Sequence, residues 1–487
     1  MKAHLTLLAA SLMLVACATP VSAPGSGIQP PAAWQSLDTP GVRADNQQWW
    51  TQFGSPSLNR LIEQARRDSH DLAAAMARVR QAQASAVIAG APLLPEITAG
   101  LNGNRQELLR GQGYSQLDVD RDNRTIDYYD ANLSATYELD FWGGKRAARD
   151  SALSTLSASQ SDRATVELTL LSGVANSYTQ ALSLREQQRI AKLNRGNARN
   201  VLDLVQTRYD AGSATALELS QQKSLVAAQE RRLPQVQQQA REALITLAAL
   251  LGEPVQSLQL DDEPFDALRW PAIDAGVPSD LLLRRPDIAA AEARLAAAQA
   301  NITVARAAML PSATLGLSLA TGADIADQLL RNNVYNLGAG LAAPIFNNGR
   351  LKAERARATA RQEELLEAYR AAIINGFADV EKALNGIHGL DRQRQWQSEE
   401  LHQAQTAFDI AQRRYQAGAE DLLTVLETQR TLFAAQDMNV QLRLARVQAS
   451  VTLYKALGGG WRGMKMKPND IQSSGPTTLT RNSKSPN

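Results

Sequence analysis

Histidine side chains are the first candidates for catalysis or metal binding in this chain of 487 residues. The four histidines are His4, His70, His388 and His402, and the last three lie on separate predicted helices. No two of them have the short spacing with which histidines and cysteines bind a metal. Phosphate-binding loops, nucleophile elbows and paired catalytic carboxylates are also missing from the sequence. The sequence therefore predicts a protein that is not an enzyme and needs no metal or other cofactor, apart from a covalent lipid.

That lipid is predicted on Cys17, which is the only cysteine and so cannot form a disulfide within the chain. The apolar stretch before it, residues 5–16, is too short to span a bilayer as a helix. Leu-Val-Ala before the cysteine resembles a bacterial lipobox, in which the signal is removed and the thiol then carries lipid. The alternative is an ordinary signal peptide with an incidental cysteine. We expect residues 1–16 to be the signal, and Ala18, in place of an aspartate, indicates the outer membrane.

Composition limits the possible partners. The formal net charge of +2 at pH 7 gives no case for nucleic acid. The mature chain has no apolar run near 18 residues, so no transmembrane helix is expected. Residues 17–57 are rich in Pro, Gly, Ser and Gln and predict an extended, lipidated arm. Residues 461–487 turn to Lys, Pro, Asn and Ser and predict a disordered tail.

The sequence repeats itself once. The pentapeptide RYDAG at 208–212 returns as RYQAG at 414–418. Further matching pairs flank these in the same order, with an offset of roughly 205 to 216 residues. A duplicated half of about 200 residues is far longer than a solenoid repeat. The repeat therefore predicts a pseudo-symmetric architecture.

Most of the chain has the composition of long helices, and apolar residues at spacings of four and three indicate coiled-coil packing. Leu171, Ala175, Tyr178 and Leu182 show this spacing. Because no proline occurs between Lys145 and Tyr209, we expect one helix there, about 100 Å long. A tube can contain such a helix and a globular core cannot. Pro234 is predicted to interrupt and kink the helix that returns.

Four segments alternate instead between apolar and small polar residues: 97–102, 132–141, 315–319 and 335–341. Each lies in a segment of about ten residues, which is the length of a tilted strand that crosses a bilayer. Apolar side chains would face lipid and the small polar ones a watery lumen. A soluble amphipathic sheet is the alternative, but two matched pairs at the same place in each repeat favour the membrane. Because four strands cannot close a barrel and lipid does not tolerate open edges, we expect three chains to supply twelve strands.

Four motifs carry a resemblance to a known family: WWTQF at 49–53, VPSDLLLRRPDI at 277–288, LDFWGGKR at 139–146 and PIFNNGR at 344–350. Together with the features above, they resemble the outer-membrane efflux factor family, the TolC-like exit ducts, and specifically its lipoprotein branch. The resemblance covers residues 49–461. Asn348 stands where a glycine is commoner, but asparagine tolerates a positive φ fairly well.

The resemblance implies a homotrimer, mainly α-helical with transmembrane β-strands. Its twelve-stranded outer-membrane barrel would be continuous with a long periplasmic α-helical barrel. It would be the passive duct of a tripartite efflux system that exports drugs or toxic compounds, with a periplasmic adaptor and a proton-driven inner-membrane pump as partners. A duct for a secreted protein or peptide is an alternative. A structural coiled-coil lipoprotein without a pore is another, and a hydrolytic lipoprotein is remote because no catalytic constellation is present.

The duplication divides the chain into matching segments. Repeat 1 would contain helices over 58–94, a transmembrane β-hairpin over 95–142 and a long helical hairpin over 143–254. After a linker over 255–280, repeat 2 would contain a helix over 281–310, a β-hairpin over 311–346 and a helical hairpin over 347–460.

In the family the helical hairpins turn at the periplasmic tip, where both RYxAG motifs fall. Glycine readily takes the left-handed conformation that ends a helix, and arginine in the last turn suits the helix dipole. A simple helix cap is the alternative, but the recurrence of Arg-Tyr favours docking of the adaptor. The predicted docking residues are Arg208, Tyr209, Gly212, Arg414, Tyr415 and Gly418.

The resemblance also implies a gate after the second tip. Carried over from close relatives, Leu423, Glu427 and Arg430 would form the constriction at the periplasmic mouth. Their spacing of four and three places them on one helix face. Glutamate stands here where aspartate is usual, which predicts a looser latch. The alternative is a solvated helix face.

Overall fold

The structure is a computed structural model that describes residues 25–36, 42–43, 48–107, 125–271 and 273–462. The α-helices of this part are α1 (Pro56–Asp68), α2 (His70–Gly90), α3 (Gly144–Asp210), α4 (Ala216–Leu251), α5 (Pro278–Arg284), α6 (Pro286–Ala307), α7 (Arg350–Gln416) and α8 (Leu422–Ala456). The strands are β1 (Val42–Arg43), β2 (Glu96–Glu107), β3 (Thr125–Leu139), β4 (Ile273–Asp274), β5 (Ser312–Ala323) and β6 (Asn333–Ala342). No helix in these ranges is long and apolar enough to cross a membrane.

The chain divides into two compact units, and each takes residues from both repeats. Unit 1 comprises Met1–Gln29, His70–Val166 and Ala290–Asn375. Unit 2 comprises Pro30–Ser69, Glu167–Ala289 and Gly376–Asn487. The predicted signal peptide, Cys17 and nearly all of the predicted tail lie outside the described residues.

Unit 1 contains an antiparallel sheet whose described strands follow the order β2-β3-β5-β6. The two predicted hairpins join along β3 and β5, where Ala135 lies opposite Leu317. Leu317 in turn lies opposite Leu337 of β6. Directly opposed residues of an antiparallel pair share a face, so this register collects most of the apolar positions of the four strands on one side. That face carries Ile97, Leu101, Leu133, Leu315, Leu317, Leu319, Tyr335, Leu337 and Leu341.

The opposite face of the sheet is mostly polar or has little side chain, with Tyr128 and Val334 as large exceptions. Thr98 and Ser134 hydrogen-bond across β2 and β3 at 2.7 Å, and Asn102 donates to Asp130 at 2.9 Å. On β5 and β6, Gly316 lies opposite Gly338. Within the described residues β2 and β6 each pair on one side only, so they form the two edges of the sheet.

In each repeat, residues with a positive φ lie between the last strand and the long helix that follows it. Gly143 has a φ of 71° just before α3, and Asn348 and Gly349 have φ of 51° and 80° just before α7. Asp140 caps α3, because its carboxylate accepts the backbone N–H groups of Lys145 and Arg146 at 2.9 and 3.0 Å. Asn348 thus adopts the positive φ for which glycine is commoner in the family.

The long helices have the lengths that the sequence predicts. The helix expected over Lys145–Tyr209 is present as α3, one residue longer at each end, and α7 is its 67-residue counterpart. In unit 2 the far ends of these helices pack with α4 and α8 around a buried apolar core. The core includes Val205, Leu219, Phe408, Tyr415, Val425 and Leu432.

The predicted interruption at Pro234 is wrong, because α4 is continuous from Ala216 to Leu251 with this proline inside it. Proline cannot donate the hydrogen bond to the carbonyl of Glu230. Pro234 is exposed, however, so water can reach that part of the helix. Solvation of the freed carbonyl lets the helix continue.

The predicted extended arm is also wrong in part, because Trp34 is docked on the protein. Its side chain is only 6% exposed. The indole Nε1 donates to the carbonyl of Gly276 at 2.9 Å, and the ring lies edge-on to Phe377 at 6.2 Å between centroids. The backbone N–H of Gln35 donates to Glu381 of α7 at 2.8 Å. One buried tryptophan is enough to fix this part of a Pro- and Ser-rich segment.

Candidate functional site: the two helical tips

The first tip, between α3 and α4, is closed by capping at both helix ends. Gly212 has a φ of 72°, and its N–H donates to the carbonyl of Tyr209 at 2.9 Å. Ser213 donates to the carbonyl of Arg208 at 2.8 Å, so two carbonyls of the helix end have partners. The next helix begins with a capping box between Thr215 and Glu218.

The second tip, between α7 and α8, repeats this backbone geometry. Gly418 has a φ of 78°, and its N–H donates to the carbonyl of Tyr415 at 3.0 Å. Ala419 donates to the carbonyl of Arg414 at 2.9 Å. Asp421 caps α8 by accepting the N–H of Thr424 at 2.8 Å, and this backbone hydrogen bond holds the pKa of Asp421 below its usual value.

The tyrosines of the two tips differ although the motifs match. Tyr209 is 40% exposed, whereas Tyr415 is 2% exposed. The guanidinium carbon of Arg208 lies 4.2 Å from the ring centroid of Tyr415, within the range of a cation–π interaction. Arg208 also donates to the carbonyl of Tyr415. Burial raises the pKa of Tyr415, although the charge of Arg208 opposes this shift.

Among the described residues, Arg414 and Tyr209 do not form the equivalent cation–π pair. Arg414 instead reaches Glu420, with Nε 3.3 Å from a carboxylate oxygen. Of the six predicted docking residues, Arg208 and Tyr415 are thus in contact inside the chain. Tyr209, Gly212, Arg414 and Gly418 are exposed at the tips.

The three predicted gate residues lie on one exposed face of α8. Leu423 is 55% exposed, and Glu427 and Arg430 are exposed as well. The opposite face of the helix is buried through Leu422, Val425, Leu426, Gln429 and Leu432. Within the described ranges neither Glu427 nor Arg430 takes part in an ion pair. A large apolar side chain and two opposite charges are therefore available to another molecule.

Repeat 1 has an equivalent face without the charges. The offset between Arg208 and Arg414 is 206 residues. At the same offset, the positions of Leu423, Glu427 and Arg430 correspond in repeat 1 to Leu217, Gln221 and Ser224, respectively. Leu217 is 66% exposed. The apolar position is therefore common to both hairpins, and the acid and the arginine occur in repeat 2 alone.

Arg285, which the sequence showed only as part of a motif, has a clear structural role. It is buried, and its guanidinium binds both carboxylate oxygens of Asp287 at 3.0 and 2.7 Å. It also donates to Asp379 at 3.0 Å and to the carbonyl of Ala456 at 3.3 Å. Burial alone would raise the pKa of Asp287, but the hydrogen bond and charge of Arg285 outweigh it and lower that pKa. The only indication of this ion pair in the sequence is that Arg285 and Asp287 flank Pro286.

A duplicated chain with an amphipathic β-sheet and capped pairs of long helices defines the class of outer-membrane channel proteins. The chain belongs to the Outer membrane efflux protein family, whose model matches residues 61–253 and 277–459. These two matches confirm the internal duplication.

Two relatives and one solved structure support this assignment. The chain is 63% identical to the pyoverdine export outer membrane protein OpmQ of Pseudomonas aeruginosa, over 94% of this chain and 97% of the relative. It is 60% identical to OpmQ of Pseudomonas putida, over 94% and 98%. The structure of the outer-membrane channel OprN matches with a TM-score of 0.84 and 26% identity, covering 91% of this chain and 99% of OprN.

The predicted fold class is confirmed: mainly helical, duplicated and with a transmembrane sheet, as in trimeric TolC-like channels. The predicted function is confirmed as well. The protein is an outer-membrane channel for efflux, and its location is the outer membrane. The alternative of a structural lipoprotein without a pore is therefore set aside.

Proposed function

We propose that the chain is the exit duct for pyoverdine or a closely similar compound, and that it performs no chemistry of its own. The observation that carries this proposal is the identity of 63% and 60% with two pyoverdine export proteins over nearly the whole chain.

Deletion of the gene should lower the pyoverdine concentration in the medium and raise it in the periplasm. Wild-type protein should restore secretion, and a trimer-forming relative of about 30% identity should not. Unchanged secretion in the deletion strain, with the protein shown to be absent from the membrane, would contradict this cargo.

The working form would be a homotrimer with a closed barrel. The sheet leaves β2 and β6 as edges, and unpaired backbone groups in lipid cost several kcal/mol each. Three copies joined edge to edge would remove all edges and present the apolar face, with Leu337 79% exposed in the single chain, to lipid. Native mass spectrometry in detergent should then give a trimer that dissociates on heating.

The orientation of the sheet can be tested at two adjacent residues of β5. Leu317 lies on the apolar face and Ser318 on the polar one. An arginine facing lipid at mid-bilayer costs about 2–4 kcal/mol. Leu317→Arg should therefore impair assembly of the trimer, and Ser318→Arg should be milder. Equal amounts of trimer from both variants would mean that the faces are assigned wrongly.

The tips would dock a periplasmic adaptor that connects the duct to a proton-driven inner-membrane pump. Exposed Tyr209 and Arg414 beside the two capping glycines offer an aromatic ring and a cation to such a partner. Buried Tyr415 and its neighbour Arg208 would instead hold the tips in shape. Gly212→Asp and Gly418→Asp should each reduce cross-linking to the adaptor without lowering the amount of trimer. Normal cross-linking in both variants would argue against docking at the tips.

Leu423, Glu427 and Arg430 would close the periplasmic mouth between chains. Three exposed leucines around a three-fold axis would form an apolar ring, and Glu427 and Arg430, unpaired within the described chain, could pair across subunits. Exposed pairs of this kind contribute about 1 kcal/mol or less each, so contact with the adaptor could open them.

Cys17, which lies outside the described residues, would carry the lipid. The support is its lipobox-like sequence, and the role would be anchoring in addition to the barrel. Exported Cys17→Ser protein should lack the acyl mass on its N-terminal peptide and still form trimers. Failure to form trimers would show that the barrel depends on the lipid.

A further inference from the structure

Two arginines of unit 2 lie over the ring of one tryptophan. Trp270 belongs to the segment between α4 and α5 and is half-buried. The guanidinium carbon of Arg394, on α7, lies 4.2 Å from the centroid of this ring, and that of Arg443, on α8, lies 4.8 Å from it. Both distances are within the range of a cation–π interaction. One indole therefore holds two positive charges close together.

The guanidinium of Arg394 has donors that are not used. Within the described ranges it makes no hydrogen bond, and its ion pair with Asp391 is long, with 3.7 Å between nitrogen and oxygen. Asp391 is already bound by Arg446, whose Nε donates to it at 2.7 Å. The side chain of Arg394 is only 30% exposed, so water reaches just part of it. Five N–H groups in a fixed fork are thus left without a protein acceptor.

Arg443 also keeps unused donors. One of its terminal nitrogens donates to the backbone carbonyls of Asp266 and Leu268 at 2.5 and 3.1 Å. The other terminal nitrogen makes no hydrogen bond to any residue that the structure describes. The Nε is buried, and among the same residues it has no hydrogen-bond partner either. Such a poorly satisfied cation is stabilised by an anion that comes close to it.

The cluster carries more positive than negative charge. Its cations are Arg394, Arg443 and Arg446, and the acids that face them are Asp391 and Asp266. Burial lowers the pKa of Arg394, and the charge of Arg446 lowers it further. Burial also lowers the pKa of Arg443, and the charge of Arg394 adds to that shift. The surroundings therefore disfavour both charged arginines as long as no anion joins them.

Helix packing does not require these two arginines. At the offset of 206 residues, Arg394 and Arg443 correspond to Gln188 and Gln237 of repeat 1. The equivalent helices α3 and α4 are continuous through these glutamines. An uncharged side chain is thus compatible with the helical hairpin, and the pair of cations is a feature of repeat 2.

We propose that Arg394 and Arg443 bind an oxyanion, a phosphate or carboxylate group, beside Trp270. The anion accepts hydrogen bonds from the fork of Arg394 and from the free terminal nitrogen of Arg443, and its charge offsets their repulsion. Arginine suits this ligand class because its fork matches two oxygens of one group. Since Trp270 contacts both arginines, the bound anion fastens the segment between α4 and α5 to α7 and α8.

The test uses the full-length protein in detergent at constant ionic strength. Sodium chloride is replaced stepwise by sodium phosphate or, in a separate series, by sodium succinate. One readout is the fluorescence of Trp270, taken as the difference between the protein and its Trp270→Phe variant. The other is hydrogen exchange of residues 265–271. Arg394→Gln and Arg443→Gln copy the residues of repeat 1, and Arg392→Gln, at an exposed position of α7, is the matched control.

Phosphate or succinate should change the Trp270 fluorescence until the signal saturates. At ten times the half-saturating concentration, exchange of residues 265–271 should be about tenfold slower than in chloride. Arg394→Gln and Arg443→Gln should each raise the half-saturating concentration about tenfold or more, because each removes a charged donor. Arg392→Gln should bind like the wild type. A response to phosphate alone would define a phosphate site, and a response to succinate alone a carboxylate site.

Two results would overturn the site. No response to either anion is one of them. The other is a signal that never saturates, or that is equal in the two arginine variants and in Arg392→Gln, which would mean an adventitious ion only. Should a glutamine variant fail to fold, Arg394→Lys and Arg443→Lys replace it. Lysine keeps the charge and loses the fork, so binding should still weaken, and unchanged binding in both would refute the site.

Discussion

The two helical tips have the same backbone and different side-chain environments. Each tip follows a 67-residue helix, which ends at Asp210 in the first repeat and at Gln416 in the second. Each tip also contains a glycine with a positive φ, 72° at Gly212 and 78° at Gly418. Yet Tyr209 is exposed and Tyr415 is buried under Arg208. The two repeats therefore share the capping glycine that the backbone of the turn requires. The surroundings of the tyrosine side chains differ between them.

The largest expected difference between the tips concerns their tyrosines. Tyr415→Ala removes a buried aromatic ring and should destabilise the second tip by about 3 kcal/mol. Tyr209→Ala removes an exposed ring and should change stability by about 0.5 kcal/mol or less. Hydrogen exchange of the tip amides in the intact trimer measures both. Similar effects would show that the two tyrosines have equivalent surroundings in the assembled protein.

Glycine-to-alanine changes should instead affect the two tips equally. An added Cβ meets nothing within 4 Å at Gly212 or Gly418, so the penalty comes from the left-handed backbone alone. It should be about 1 kcal/mol in each case. Gly386→Ala is the control, because this helical glycine also has open space and no positive φ. That change should stabilise α7 by up to about 1 kcal/mol. A clear difference between the tip variants would indicate an unseen contact at one of them.

The proposed gate extends the comparison of the two repeats to function. Leu423→Ser with Glu427→Ala should raise the single-channel conductance severalfold in planar bilayers, because it would remove the proposed apolar ring and one member of each proposed pair. Leu217→Ser with Gln221→Ala alters the equivalent face of repeat 1 and should leave conductance unchanged. If the first double variant conducts like wild type while the trimer is intact, the constriction lies elsewhere.

The smallest effect concerns pH, because the two tips use different caps. The pKa of Asp421 is lowered from 3.8 by the N–H of Thr424. A depressed carboxyl pKa gives stability that is present above pH 3.8 and is lost as the pH falls through the lower, folded-state value. Exchange of the Thr424 amide, corrected for its intrinsic rate, should therefore increase below about pH 3.8. Asp421→Thr copies the cap of the first tip and should remove this part of the pH dependence.

The parts of the fold that depend on short-range pattern could be predicted from the sequence. Alternation in β5 placed Leu317 and Ser318 on opposite faces because the side-chain period of a strand is two. The absence of proline placed α3 within one residue at each end. The capping glycines followed from the requirement for a positive φ.

The rest depended on tertiary neighbours that sequence does not show. The letters Arg-Tyr are identical at both tips, but Tyr415 is buried only because Arg208 and the core of unit 2 surround it. Trp34 lies in a segment with the composition of a linker, and its burial depends on Phe377, 343 residues away. Pro234 was predicted to interrupt its helix, but α4 continues through this exposed proline.

The contrast between Tyr209 and Tyr415 would also set the symmetry of the proposed docking surface. A trimer would have six tips, and if all were alike the periplasmic end would look the same after every sixth of a turn. With exposed and buried tyrosines alternating around the three-fold axis, the surface would repeat only after every third of a turn. A ring of six identical partner molecules must then bind in two different ways, whereas a ring of three can bind in one.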